Sequence, residues 1–286
     1  MRLATVKIGG AENTVVVVPG GVVPLREVGD LGGWPEDLLS LLEGDYLDDL
    51  RRWWDGLSES ELEELSERAV PIMSTSYAPL YRRPRKIWGI GLNYREHAED
   101  LNVASPSDEP ASFIRPDTTI IGPGEEIRLP EQSSRVTAEA ELAVIIGREA
   151  KNVSEEDAPS VVAGFTTVLD MTAEDILRRN PRYLTRAKSF DTFFSFGPQL
   201  VTPDEVGEVQ SLEVATVLNG EVRRRNFVSN MVFSPWSLVS FHSEVMTLLP
   251  GDVFSTGTPG AVEVRDGDVV GCRISSFEPL INPVRR

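Results

Sequence analysis

The 286-residue sequence predicts a mainly β protein of the α+β class, in which a small α+β unit precedes a larger β-rich one. Three observations carry this. From Lys86 onward, short apolar runs at 86–91, 141–146, 164–169, 212–218 and 269–274 are separated by Gly, Pro and Asp turns. Helical patterning is concentrated in the first 80 or so residues. Between the two textures lies a Pro- and Arg-rich stretch, 79–84, that reads as a linker, giving units at 1–80 and 81–286.

Taken in order, residues 3–8 and 14–18 are alternating or β-branched and are split by Gly9-Gly10, which predicts a hairpin. Short amphipathic helices follow at 35–43 and 46–54. A third begins at Ser58, whose hydroxyl caps a turn containing Glu61, and this puts Leu62 and Leu65 on one face. The strands from Lys86 onward then build the larger unit.

A composition that is 41% hydrophobic and 26% charged supports a packed core and excludes global disorder. No apolar run approaches the ~20 residues that span a bilayer. The first apolar run breaks at Gly9-Gly10, too early for a secretory segment, so a cytoplasmic location is expected. Cys272 is the single cysteine, which excludes an intramolecular disulfide and a cysteine-based zinc site; in its strand it reads as a small core residue. With 45 Asp and Glu against 28 Lys and Arg, the net charge is −17. Such a surface repels phosphate backbones, so neither nucleic acid nor a membrane is expected as a partner. An anionic substrate would need positive charge concentrated locally, from a metal or from clustered Arg and Lys.

The segment Glu139-Ala140-Glu141-Leu142 carries the most chemistry. In a strand, positions i and i+2 share a face, so two carboxylates would stand side by side. Inside an apolar strand that is costly unless a cation or a proton compensates. Asp170, at the end of the apolar run 161–169, would be delivered by another strand to a sheet edge. Three hard oxygen ligands suit Mg²⁺ or Mn²⁺ better than zinc. The same spacing also fits a turn at Glu139 followed by a surface strand.

Further segments settle which reading to pursue. Ile90-Gly91-Leu92-Asn93-Tyr94-Arg95-Glu96-His97 resembles the signature that opens the catalytic domain of the fumarylacetoacetate hydrolase superfamily. Phe113-Ile114-Arg115-Pro116, Glu139-Ala140-Glu141, Leu169-Asp170-Met171, Ala187-Lys188-Ser189-Phe190, Asn219-Gly220-Glu221-Val222 and Thr256-Gly257-Thr258-Pro259 follow in that family's order. The resemblance covers residues 85–286, lies closest to the acylpyruvase and diene-dioate isomerase branch, and implies a mixed β-sandwich or β-roll catalytic domain that forms homodimers.

What it implies for the site is specific. Glu139, Glu141 and Asp170 would bind Mg²⁺ or Mn²⁺, which would hold a small anionic 2-oxo acid and stabilise the developing enolate. Lys188 would contact the substrate and its developing charge. Asn93 belongs to the signature, Thr258 would bind the substrate carboxylate, and Arg115 would lie near the pocket mouth. His97 would form a dyad with Asp100, three residues on and so on one helix face, to activate water. Asp stands where relatives usually carry Glu. Residues 95–110 would act as a lid. His242 matches no catalytic position and reads as structural.

The chain also departs from the family pattern. Glu174 and Leu177 stand where relatives carry Arg and Gln, and Arg223-Arg224-Arg225 follows the Asn-Gly-Glu-Val motif. Arg178, Arg179, Arg182 and Arg186 lie close enough in sequence to restore positive charge. The leading expectation is metal-assisted hydrolysis of a C–C bond in an acylpyruvate-like acid. The alternative is lyase or isomerase chemistry: tautomerisation or decarboxylation of oxaloacetate, or dehydration of a 2-keto-3-deoxy sugar acid with Glu174 as a proton donor or hydroxyl ligand. A binding module without chemistry would be expected to have lost the dyad or the lysine, and this chain keeps both.

Overall fold

The computed structural model describes residues 1–28, 33–96 and 106–286. The chain opens with the antiparallel hairpin Arg2–Ile8 and Ala11–Val18, in register from Leu3 opposite Val16 to Ile8 opposite Ala11. Its two-residue turn needs left-handed backbone at both positions, and Gly9 and Gly10 supply φ of 59° and 85°. Helices Leu38–Glu43, Leu47–Asp55 and Glu59–Glu67 follow. Asp37 caps the first by accepting from the Ser40 N–H at 2.8 Å. Ser58 and Glu61 form the expected capping box on the third.

Among the described residues, 13 strands join in one large sheet. Its main path runs Gly21–Pro24, Ala11–Val18, Arg2–Ile8, Gln199–Val201, Val162–Ala173, Val136–Ile146, Val253–Ser255, Ile87–Gly91 and Ala111–Arg115. A second sheet of 5 strands runs Glu221–Phe227, Glu213–Leu218, Val269–Ile274, Leu280–Arg285 and Ile127–Arg128. The architecture is the mainly β, two-sheet arrangement that the sequence predicts.

Two central strands decide where the site sits. Val136–Ile146 and Val162–Ala173 pair antiparallel and are buried along their whole length. Ala138, Ala140, Leu142 and Val144 pack into a core shared with Val214, Val270, Cys272 and Leu280 of the second sheet. The alternate residues Ala143 and Ile145 pack into another core, with Leu3, Leu38, Leu41, Ile87 and Val253. The strand therefore begins at Val136, and Glu139 lies inside the sheet rather than in a turn. Asp170 is likewise interior: its strand continues to Ala173, so it sits mid-strand and not at a sheet edge.

Candidate metal and substrate site

Strand alternation puts Glu139 and Glu141 on one face, and the antiparallel register sets Asp170 opposite Glu139. The three carboxylates offer ligand oxygens within 4.8 Å of one another. Glu139 is 8% exposed and Glu141 and Asp170 each 1%, which makes their mutual repulsion expensive.

Two cations meet them. Lys188 ends the short helix Leu184–Lys188, and its Nζ donates to Glu139 Oε2 at 2.8 Å and to Asp170 Oδ2 at 2.9 Å. Arg115, from the edge strand Ala111–Arg115, donates to Asp170 Oδ1 and to the carbonyls of Lys188 and Phe193. It is fully buried and not at a pocket mouth, because its fork of donors is drawn inward by the Asp170 charge and two backbone oxygens. Smaller groups complete the shell. Ser255 Oγ and the Gly257 N–H reach Glu141 Oε2 at 2.5 and 2.8 Å, and Thr172 Oγ1 donates to Glu139 Oε1 at 2.9 Å.

The electrostatics follow from burial. Burial, then the charges of Asp170 and Glu139, pushes Glu141 up to about 8. Burial also raises Asp170, against the pull of Arg115 and Lys188. Burial alone would lower Lys188, but Asp170 and Glu139 reverse this and hold it above its ordinary value, as an ammonium. Three carboxyl groups thus face two cations, an excess of acidic groups that Glu141 relieves by keeping its proton until a further cation arrives. Hard oxygen donors gathered around that excess are what a small divalent cation requires. The Tyr94 hydroxyl, buried and without a hydrogen-bond partner among the described residues, lies close enough for Glu141 to help burial raise it.

The remaining candidates divide. The Asn93 side chain is spent on backbone: its amide donates to the carbonyls of Phe233 and Thr256 at 3.0 and 2.7 Å, and its oxygen accepts from the Phe233 N–H at 2.8 Å. It latches the signature segment to the turn after Ser255. Thr258, on that turn, is buried, and its hydroxyl accepts from the Gly260 N–H at 3.2 Å. Glu174 is held by Arg178 at 2.7 Å and by Arg135, which also binds Glu263. His97 and Asp100 lie outside the described residues, as does most of the expected lid. His242 has Nδ1 2.7 Å from the Leu238 carbonyl and its ring 4.5 and 5.3 Å from those of Trp88 and Phe254, a structural setting.

Sequence reading missed Thr172, Ser255 and Arg135. Thr172 was within reach, two positions from Asp170 on the same strand face. Arg135 and Ser255 act from elsewhere in the chain, and only the fold brings them in.

The model of the fumarylacetoacetate (FAA) hydrolase C-terminal family matches residues 86–285. The chain belongs to this family. It is 40% identical over 224 residues to human mitochondrial oxaloacetate tautomerase FAHD2A, covering 75% of this chain and 71% of that protein. Among solved structures, maleylpyruvate hydrolase from Sphingobium sp. SYK-6, in complex with manganese(II) and pyruvate, is 28% identical over 100% of this chain and 99% of its own, at a TM-score of 0.81. The 5-carboxymethyl-2-hydroxymuconate delta-isomerase from Mycobacterium smegmatis is 30% identical over 100% and 99%, at 0.78. Hydrolase, isomerase and tautomerase relatives make this an enzyme family, and the chain an enzyme of it. No helix among the described residues is long and apolar enough to cross a membrane.

Proposed function

We propose that this enzyme moves a proton next to the carbonyl of a small 2-oxo acid, interconverting keto and enol forms. The observation that carries the reading is the Lys188 ammonium set between Glu139 and Asp170, beside Glu141. Glu139, Glu141 and Asp170 would hold Mg²⁺ or Mn²⁺, which supplies Lewis acidity at the 2-oxo-carboxylate. Lys188 fixes two of those carboxylates and presents positive charge where the substrate oxygen becomes negative. As an ammonium it can give that oxygen a proton while His97, the base in this proposal, takes one from the neighbouring carbon. Thr258 would hold the substrate carboxylate. The tautomerase relatives at 40% identity support this choice of reaction.

A second reading, C–C hydrolysis of an acylpyruvate, is favoured by the maleylpyruvate hydrolase likeness over the whole chain. In it, His97 and Asp100 activate water instead. Dehydration of a sugar acid through Glu174 is disfavoured, since two arginines engage that carboxylate. A cytoplasmic homodimer belongs to the same proposal, and sedimentation should then give about twice 31.5 kDa.

The test is to add Mg²⁺ or Mn²⁺ to metal-stripped enzyme, follow enol absorbance of oxaloacetate, and analyse acylpyruvate products by mass. Metal-dependent loss of enol absorbance without new products supports tautomerisation. Two acids from an acylpyruvate would establish hydrolysis instead. Turnover that survives in Glu141→Ala would sink both.

A further inference from the structure

We propose that Phe113 is a positioning residue for Lys188: its ring seats the ammonium without using any carboxylate oxygen, so the lysine keeps its place when those oxygens are given to a divalent cation. This rests on the 2-oxo-acid reading above, in which Lys188 is the proton donor. Phe113 lies on the edge strand Ala111–Arg115 and is half-buried, whereas Lys188 is buried. The Lys188 Nζ stands over the Phe113 ring, 5.4 Å from its centre. At that range the negative face of a ring attracts a cation, and the attraction grows as water is excluded.

The neighbouring strands explain why the ring lies there. Phe113 pairs with Gly89, and Gly89 pairs in turn with Ser255, whose hydroxyl donates to Glu141. Residues paired across a sheet share a face, so Phe113 stands on the face that bears the carboxylate cluster. The ring can lie across the sheet because Gly89 has no side chain; an added methyl would meet two ring Cε atoms at 2.6 and 2.7 Å. Arg115, two positions along and so on the same face, donates to the Lys188 carbonyl. One short strand thus grips Lys188 at both ends, its backbone through Arg115 and its ammonium through Phe113. The Arg115 guanidinium lies 5.8 Å from the same ring and 5.4 Å from the buried Phe194 ring.

The value of a neutral partner follows from the charges. Lys188 also holds to Glu139 and Asp170, two of the three groups that would bind metal. With those oxygens given to a divalent cation, the ammonium loses contacts and meets a new positive charge. A lysine on its flexible stem would then swing away. The Phe113 contact survives that change, because the ring carries no net charge and offers no ligand atom. Phe113 acts through Lys188 and not on the substrate.

The experiment compares the wild type with Phe113→Leu, which keeps apolar bulk without a ring, and with enzymes carrying mono-, di- or trifluorinated phenylalanine at position 113. Fluorine weakens the negative face of the ring step by step with little change of shape. Calorimetry reads the Mn²⁺ affinity of metal-stripped protein, and enol turnover of oxaloacetate gives kcat and KM. The expected result is that Phe113→Leu weakens Mn²⁺ binding and lowers kcat about tenfold each, the worth of one desolvated cation–ring contact, with KM within about twofold. Fluorination should give graded losses between wild type and Phe113→Leu. Equal values across the fluorinated series, or a loss confined to melting temperature, would overturn the role of Phe113. If the wild type binds Mn²⁺ but turns over no oxaloacetate, the tautomerase reading fails, and the grading of Mn²⁺ affinities alone decides the seat of Lys188. A wild type that binds no Mn²⁺ would sink the metal reading and this proposal together.

Discussion

At the scale of single residues, the site is a problem of buried charge that Lys188 helps to solve. Its ammonium touches two of three carboxylates, so truncating it removes a counter-charge as well as the proton donor of the proposed reaction. Lys188→Met should lower turnover by about a hundredfold or more, the usual cost of losing one preorganised charge stabiliser. It should also destabilise metal-free protein by about 3 kcal/mol, the cost of leaving a buried charge unpaired. Saturating Mn²⁺ should return part of that stability, because binding only to the folded state adds to it. Melting temperatures with and without metal check this; an equal loss in both states would mean that Lys188 and the cation do not share one cluster. The Cys272 thiol, raised well above its ordinary range by burial, should resist alkylation until the protein unfolds.

At the scale of elements, most of the frame was legible in the sequence. The Gly9-Gly10 hairpin, the capping box at Ser58 and the strand Val269–Ile274 follow local rules of turn chemistry and periodicity. The gathering of the carboxylate cluster was legible too, through i, i+2 spacing and family likeness. What escaped was set by tertiary contact. Strand Val136–Ile146 runs five residues beyond its expected start because both its faces are covered, which no alternating pattern reveals. The inward turn of Arg115 depends on Asp170 and on carbonyls far away in sequence. Asn93 shows how such contacts hold elements together. Its amide ties the segment after strand Ile87–Gly91 to Phe233 and Thr256. Asn93→Ala should cost about 2–3 kcal/mol through unpaired backbone groups, read as a lower urea midpoint. It should also raise KM, because the Thr258 turn loses its latch. A change in stability with KM untouched would separate Asn93 from the substrate role proposed for the Thr258 turn.

At the scale of the whole molecule, the question is whether the first 80 residues are separable. The sheet says otherwise: Arg2–Ile8 pairs with Gln199–Val201, from Arg2 opposite Val201 to Ala4 opposite Gln199. Leu3, Val16, Leu38, Leu41 and Leu50 pack in one core with Ile87, Ala143, Ile145, Phe196 and Val253. Charge contacts cross the same boundary. Glu125 accepts from the Gly122 N–H at 2.9 Å and from Lys7 at 3.2 Å, and lies 3.7 Å from Arg82. Burial would raise Glu125, but these donors outweigh it and hold the carboxyl below its ordinary value. A depressed folded value adds stability above the unfolded value of about 4.3, and that stability is lost as pH falls through the folded value. Glu125→Gln should therefore lower the urea midpoint at neutral pH and narrow the gap from wild type in acid, by less than about 1 kcal/mol for a partly exposed group. Removing residues 1–80 is the larger perturbation. It would open the free edge of Gln199–Val201 and bare the apolar faces of Ala143 and Ile145, a combination that invites edge-to-edge pairing. A fragment of residues 81–286 should aggregate when expressed alone, and calorimetry of the intact chain should show one cooperative transition. A soluble, metal-binding fragment, or two separated transitions, would mean that the shared core contributes little. The family match at residues 86–285 would then mark an independently folding catalytic unit.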